Sequence, residues 1–159
     1  MKFRPQSMRK AGHDYTGTSI YFVTITAKER GTPFGKVEDG KMILNEAGLM
    51  VKDVWINLPT RFPNIQLLEY VVMPDHFHGL ISVQSQKGST DIIYSLSDII
   101  GAFKSISTNE YIKGVKNHNW PSFQKKLWLH DYWDIIVRSP KSQAAIARYI
   151  NNNPMAYTK

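Results

Sequence analysis

Residues 65–83 read IQLLEYVVMPDHFHGLISV, two apolar runs rich in β-branched and aromatic residues, Ile65–Val72 and His76–Val83, joined through Pro74-Asp75. Proline and aspartate supply turn chemistry, so the stretch predicts two strands and a tight connection. Side chains two apart on a strand point to the same face. His76 and His78 then stand side by side where the second strand leaves the turn, and Phe77 points the other way. The chain has five histidines in all, and a pair on one face is how a strand presents a metal site, imidazole being the commonest metal ligand. The plainer alternative is two rim histidines bonded to backbone or water.

Working outward, Ser19–Thr26, SIYFVTIT, predicts a central strand with Tyr21, Val23 and Ile25 on one face and Phe22, Thr24 and Thr26 on the other. Lys36–Leu44 carries an Asp39-Gly40 turn signal and reads as a small hairpin. Asn45 can cap a helix with apolar positions Ala47, Val51, Val54, Trp55 and Leu58, stopped by Pro59. Gln84–Asp91 is polar and reads as a loop. From Ser95, SLSD resembles a capping box before Ile99, Ile100, Phe103 and Ile106, a helix that Gly114 is expected to end. Lys113–Lys126 is basic and turn-rich, Leu127–Val137 has strand composition, and Ser139-Pro140 starts a last helix that Asn153-Pro154 should close. The order predicts an α+β fold, a mainly antiparallel sheet with helices packed on it, and its β-α-β-β-α-β core matches the ferredoxin-like plan. No linker divides the chain, so residues 1–159 are expected to form one domain.

Apolar residues make up 42% of the 159, enough for a sizeable core. Twenty Lys and Arg against thirteen Asp and Glu leave a formal charge of +7, a balance that favours polyanions such as nucleic acid. The absence of cysteine excludes a disulfide framework and any thiolate metal site. The N-terminal MKFRPQSMRKAGHDYTG lacks the apolar stretch of a signal peptide, and no run of about eighteen apolar residues occurs, so a soluble cytoplasmic protein without a membrane partner is expected.

The last helix, SQAAIARYINNNP, puts Ile146, Tyr149, Ile150 and Asn153 on one stripe, since positions three and four apart are neighbours. Tyr149 then faces the body of the protein. An ordinary tyrosine packs there with its hydroxyl bonded. Beside two imidazoles and a cation, a phenol can instead act as a nucleophile. Its ordinary pKa of about 10 leaves little phenolate at neutral pH. A divalent ion on His76 and His78 would offset this by polarising the phosphate under attack. The product would be a phosphotyrosine ester, which stores the cleaved bond for rejoining. The pairing therefore points to strand transfer more than to hydrolysis.

These residues resemble the single-tyrosine HUH transposases, in particular the REP-associated tyrosine transposases and insertion-sequence-200-like proteins. The resemblance runs through DYTGTSIYFVTITAKER, EYVVMPDHFHGLISV, LSDIIGAFKSISTNEYIKGV, LWLHDYWDIIVRS and RYINNNP, nearly the whole chain. It implies that His76 and His78 are metal ligands, that Tyr149 becomes joined to the 5′ phosphate of cleaved single-stranded DNA, and that Asn153 is a third, polar ligand. It implies Mg or Mn as the ion, hairpin-bearing single-stranded DNA as partner, and a homodimer, with monomers also found among relatives. Leu129-His130 stand where relatives often have Gln-Arg, and Ile135 where they often have histidine or arginine. His130 shares a strand face with Trp128 and Tyr132 in this reading, so it is either a further member of the site or a surface residue.

On that implication the phosphate contacts expected are Lys104, Lys113, Lys116, Lys125 and Lys126 with Arg4, Arg9 and Lys10. Exposed aromatics, with Trp120 and Trp128 as candidates, would stack unpaired bases at roughly 1 to 3 kcal/mol each. Two other function classes compete. A domesticated or inactive DNA-binding protein would keep the surface without the transfer, and a metal-dependent phosphohydrolase would use water in place of Tyr149.

Overall fold

The computed structural model describes residues 4–5, 17–29, 31–85 and 94–157. In chain order these form β1 (Arg4–Pro5), β2 (Gly17–Thr26), β3 (Gly35–Glu38), β4 (Lys41–Leu44), α1 (Glu46–Ile56), α2 (Leu58–Arg61), β5 (Ile65–Val72), β6 (His76–Ser85), α3 (Leu96–His118), β7 (Trp133–Val137), α4 (Pro140–Asn151) and α5 (Asn153–Ala156). Five strands make one antiparallel sheet in the order β1-β7-β2-β6-β5, and β3 pairs with β4 apart from it. Without β1, the order β7-β2-β6-β5 with α1 and α3 as crossovers is the ferredoxin-like plan, so the α+β expectation holds.

Alternation along the central strands sorts residues onto two faces. Tyr21, Val23 and Ile25 of β2, with Phe77 and Ile81 of β6, point to a core that α1 and α3 close with Val51, Trp55, Ile99, Ile100 and Phe103. Phe22 and Leu80 point the other way, into a smaller cluster that α4 closes with Ile146 and Ile150. A register shift in β5 between Leu67 and Tyr70 lets those two residues, three apart, both pack on the larger core. Helix starts follow local chemistry. The side chain of Asn45 accepts from the Gly48 N–H, Ser95 and Asp98 bond reciprocally as a capping box, and Ser139 Oγ accepts from the Ser142 N–H.

Several boundaries differ from the expectations. α1 stops at Ile56, and Pro59 lies inside the short helix α2 instead of ending the first. α3 passes through Gly114 to His118, and Asn119, at φ 59, closes it in the left-handed conformation. Gly114 is there for space: a Cβ would collide with the Trp120 ring. The composition of Leu127–Tyr132 reflects burial rather than strand. Only β7 is a strand there, while Leu127, Trp128 and Tyr132 enter the core from a loop that touches the sheet through one bridge, Ala27 to Trp128. Asn153-Pro154 opens α5 after α4 has ended at Asn151. Of Gln84–Asp91, the first two residues belong to β6 and the remainder lies outside the described residues.

Gly79, which closes the MPDHFHG motif, has a packing reason. A Cβ there would lie 2.7 Å from Trp55 Cζ2 and 2.9 Å from Phe77 Cε1, both in the filled core. Gly79→Ala is predicted to destabilise the protein by about 1–3 kcal/mol, the usual cost of overpacking. Chemical denaturation of the two proteins measures it, and an unchanged midpoint would mean that Trp55 has room to shift.

Candidate active site

The turn between β5 and β6 sets the first histidine. The Met73 N–H donates to the His76 carbonyl (2.8 Å), and the carbonyls of Pro74 and Asp75 accept from Phe34 (3.1 Å) and Ala27 (2.9 Å). The turn is thus tied to the end of β2 and to the segment before β3. Strand register then matches Thr26 with His76 and Thr24 with His78, so both imidazoles lie on the face that α4 covers in part. Their ring centroids are 4.7 Å apart, as the same-face reading requires.

Each imidazole is held by its Nδ1. Asp75 Oδ1 lies 2.8 Å from His76 Nδ1, and Thr24 Oγ1 lies 2.9 Å from His78 Nδ1. With Nδ1–H donating to those oxygens, each Nε2 keeps its lone pair, the tautomer a metal ligand needs. Burial, with His76 alongside, pushes the His78 imidazole from its ordinary 6.5 down to about 3. His78 is therefore neutral at pH 7.

The tyrosine arrives from α4. Ile146 and Ile150 are buried against Phe22 and Leu80, which fixes the helix, and Tyr149 lies beside them with its ring 5.6 Å from His78 and 6.0 Å from Phe22. It is 45% exposed, so the phenol expected to be buried instead stands at the rim of the helix stripe, packed on one side and open on the other. Asn153 follows one turn later and is buried, with Nδ2 donating to the Tyr149 carbonyl (3.3 Å). Two residues further on, Met155 lies beside Gly40 at the tip of the β3–β4 hairpin. Two imidazoles and one amide oxygen could hold a divalent ion, and among the described residues no group of three His, Cys, Asp or Glu side chains offers a competing site.

The expected phosphate contacts fare unevenly. Lys104 is already engaged, its ammonium donating to the Leu129 and His130 carbonyls at 2.7 Å each. Burial lowers its pKa, helped by nearby Lys126 and opposed by Asp131. It therefore clamps the loop before β7. Lys113 pairs with Glu110 (2.9 Å), while Lys116, Lys125 and Lys126 are exposed. Arg4 belongs to β1, and Arg9 and Lys10 lie outside the described residues. Trp128 is buried with Nε1 donating to Ser107 Oγ (2.9 Å), and Trp120 covers Gly114 with Nε1 donating to Glu46 (3.1 Å), so neither offers a free ring. His130 sits exposed on a loop, 4.0 Å from Asp131, not on a strand. Ile135 lies between Phe22 and the sheet edge, partly buried in the smaller cluster. In the sequence Thr24 reads only as a strand position and Asp75 only as part of a turn, neither as a site residue. Asp75 could have been found by its adjacency to His76, whereas Thr24 needs the strand register.

Residues 41–153 match the family described as Transposase IS200 like. An "Uncharacterized protein" of Haemophilus influenzae is 31% identical over 166 residues, covering 96% of this chain and 89% of the relative. A solved structure, of a REP-associated tyrosine transposase bound to a REP hairpin, superposes with a TM-score of 0.64 over 94% of this chain and 74% of that one. Its identity is 19%, so that likeness speaks for the fold. No described helix is long and apolar enough to cross a membrane.

The depressed His78 pKa has a stability consequence in metal-free protein. Folded His78 stays neutral down to about pH 3, whereas the unfolded residue takes up a proton below its ordinary 6.5. Between these values the unfolded state binds more protons, so stability present above pH 6.5 is lost as pH falls toward 3, at up to about 1.4 kcal/mol per pH unit. Urea unfolding with a chelator, in parent and His78→Gln proteins, should show a steeper acid loss in the parent. Equal slopes would contradict the assignment.

Proposed function

Because this chain belongs to the IS200-like transposase family, we propose that it cleaves and rejoins single-stranded DNA at hairpin-marked sites, with Tyr149 as nucleophile. The observation that carries this reading is the approach of the Tyr149 ring to His78, 5.6 Å between centroids, on the sheet face that α4 covers in part. His76 and His78, through Nε2, and Asn153, through its amide oxygen, would hold Mg or Mn. Such an ion supplies polarisation of the scissile phosphate and offsets the charge that builds on its oxygens.

The residues divide the work. Asp75 and Thr24 orient the imidazoles, and α4, anchored by Ile146 and Ile150, presents the phenol. The Tyr149 oxygen attacks phosphorus in line, the bond to the 3′ oxygen breaks as that oxygen takes a proton from water, and a 5′-phosphotyrosine and a free 3′ hydroxyl result. The phenol's open side lets its proton pass to water. A later 3′ hydroxyl reverses the step and joins strands. His78 and Tyr149 approach one another within one chain, which supports cleavage in cis, an arrangement open to a monomer and to the homodimer expected from the sequence alike. Of the lysines expected to meet phosphates, Lys116, Lys125 and Lys126, at the basic end of α3 and in the loop after it, are exposed. A cytoplasmic location goes with DNA as substrate.

Labelled single-stranded DNA carrying a hairpin, incubated with the protein and Mn or Mg and run on a denaturing gel, tests the proposal. A slow covalent band is expected from the parent, none from Tyr149→Phe, and at least about a hundredfold less from His76→Ala or His78→Ala. Cleavage that survives Tyr149→Phe would replace strand transfer with hydrolysis by water. Binding without cleavage in the parent would favour the domesticated DNA-binding reading.

A further inference from the structure

The helices cover the two faces of the sheet unequally. α1 and α3 close the larger core. On the opposite face α4 packs over β5 and β6, while toward β7 the side chains of Ile20, Ile135 and Val137 are only partly buried and Trp133 is 39% exposed. Register fixes where that indole stands. Trp133 pairs with Thr24, and Thr24 pairs with His78, so the three side chains form one row across β7, β2 and β6 on the face that carries Tyr149. Two strand spacings of about 4.8 Å put the Trp133 backbone about 10 Å from that of His78.

The other tryptophans are engaged: Trp55 and Trp128 are buried, and Trp120 packs over Gly114. Trp133 alone combines an open ring with a place in the row of a site histidine. A sheet of this β-α-β-β-α-β plan, with an exposed aromatic on the part of a face that no described helix covers, is a surface on which an unpaired base can lie flat. Every base has a π-face, so such stacking tolerates sequence.

We infer that Trp133 is a stacking platform for an unpaired base of the bound strand, close to the phosphate that Tyr149 attacks. This rests on the reading of single-stranded DNA as substrate. Trp133 is a binding residue here. It sets the path of the strand across the sheet, and the reacting atoms belong to Tyr149 and the phosphate.

The test uses full-length protein carrying Tyr149→Phe, so that nothing is cleaved, titrated with a hairpin that has an unpaired flank and with the same hairpin trimmed of it. The flanked strand is expected to quench tryptophan emission, and the trimmed one to leave it nearly unchanged. Trp133→Phe in that background should abolish the quench yet bind the flanked strand within about threefold, because phenylalanine still stacks. Trp133→Ala should weaken that binding by about tenfold or more, with the circular dichroism of the parent. Trp120→Phe should keep the quench. A quench that persists in Trp133→Phe, or Trp133→Ala binding as tightly as the parent, overturns the inference. If that happens while the unmutated protein still forms its covalent band, strand transfer stands and the platform falls. Failure of the parent to bind either strand overturns both.

Discussion

The antiparallel register of β2 against β6 is the constraint on which the site depends. It sets Thr24 opposite His78 and Thr26 opposite His76, and with the period of two it sends both imidazoles to the face away from α1 and α3. A slip of one residue would bury the histidines in the larger core and turn Phe77 and Ile81 to the open face. The apolar content of the alternate positions opposes that slip, since Phe77, Ile81, Val23 and Ile25 are all buried between the sheet and the helices. The hydrophobic core thus selects the register, and the register places the metal-ligand candidates.

A second requirement is that the tyrosine be held yet reachable. Ile146 and Ile150 are buried on Phe22 and Leu80, while Tyr149 between them keeps one side of its ring open. Hydrophobic burial on adjacent helical positions sets its place without enclosing it. Just beyond Asn153, Met155 lies beside Gly40 of the β3–β4 hairpin.

What was legible in the sequence follows from how far each signal reaches. Alternation in Ile65–Val83 and the caps at Asn45, Ser95 and Ser139 involve neighbours a few residues apart, and those two strands and three helix starts are observed as read. The histidine pair and the tyrosine stripe are local periodicities as well. Long-range partners were not legible. Gly114 reads as a helix end until Trp120 is seen to need its missing side chain. Lys104 reads as a phosphate contact until its two carbonyl partners, 25 and 26 residues on, are placed. Leu127, Trp128 and Tyr132 read as strand because burial, not a ladder, selected them. Trp133 looks like one more aromatic until strand pairing aligns it with Thr24 and His78.

The most direct test of this convergence is a crystal structure of the protein grown with Mn, with the ion located from its anomalous scattering. One peak is expected, bonded to Nε2 of both His76 and His78 with the Asn153 amide oxygen completing the protein's share, and facing the Tyr149 hydroxyl of the same chain. A peak elsewhere, or imidazoles that turn Nε2 away from Tyr149, would contradict it.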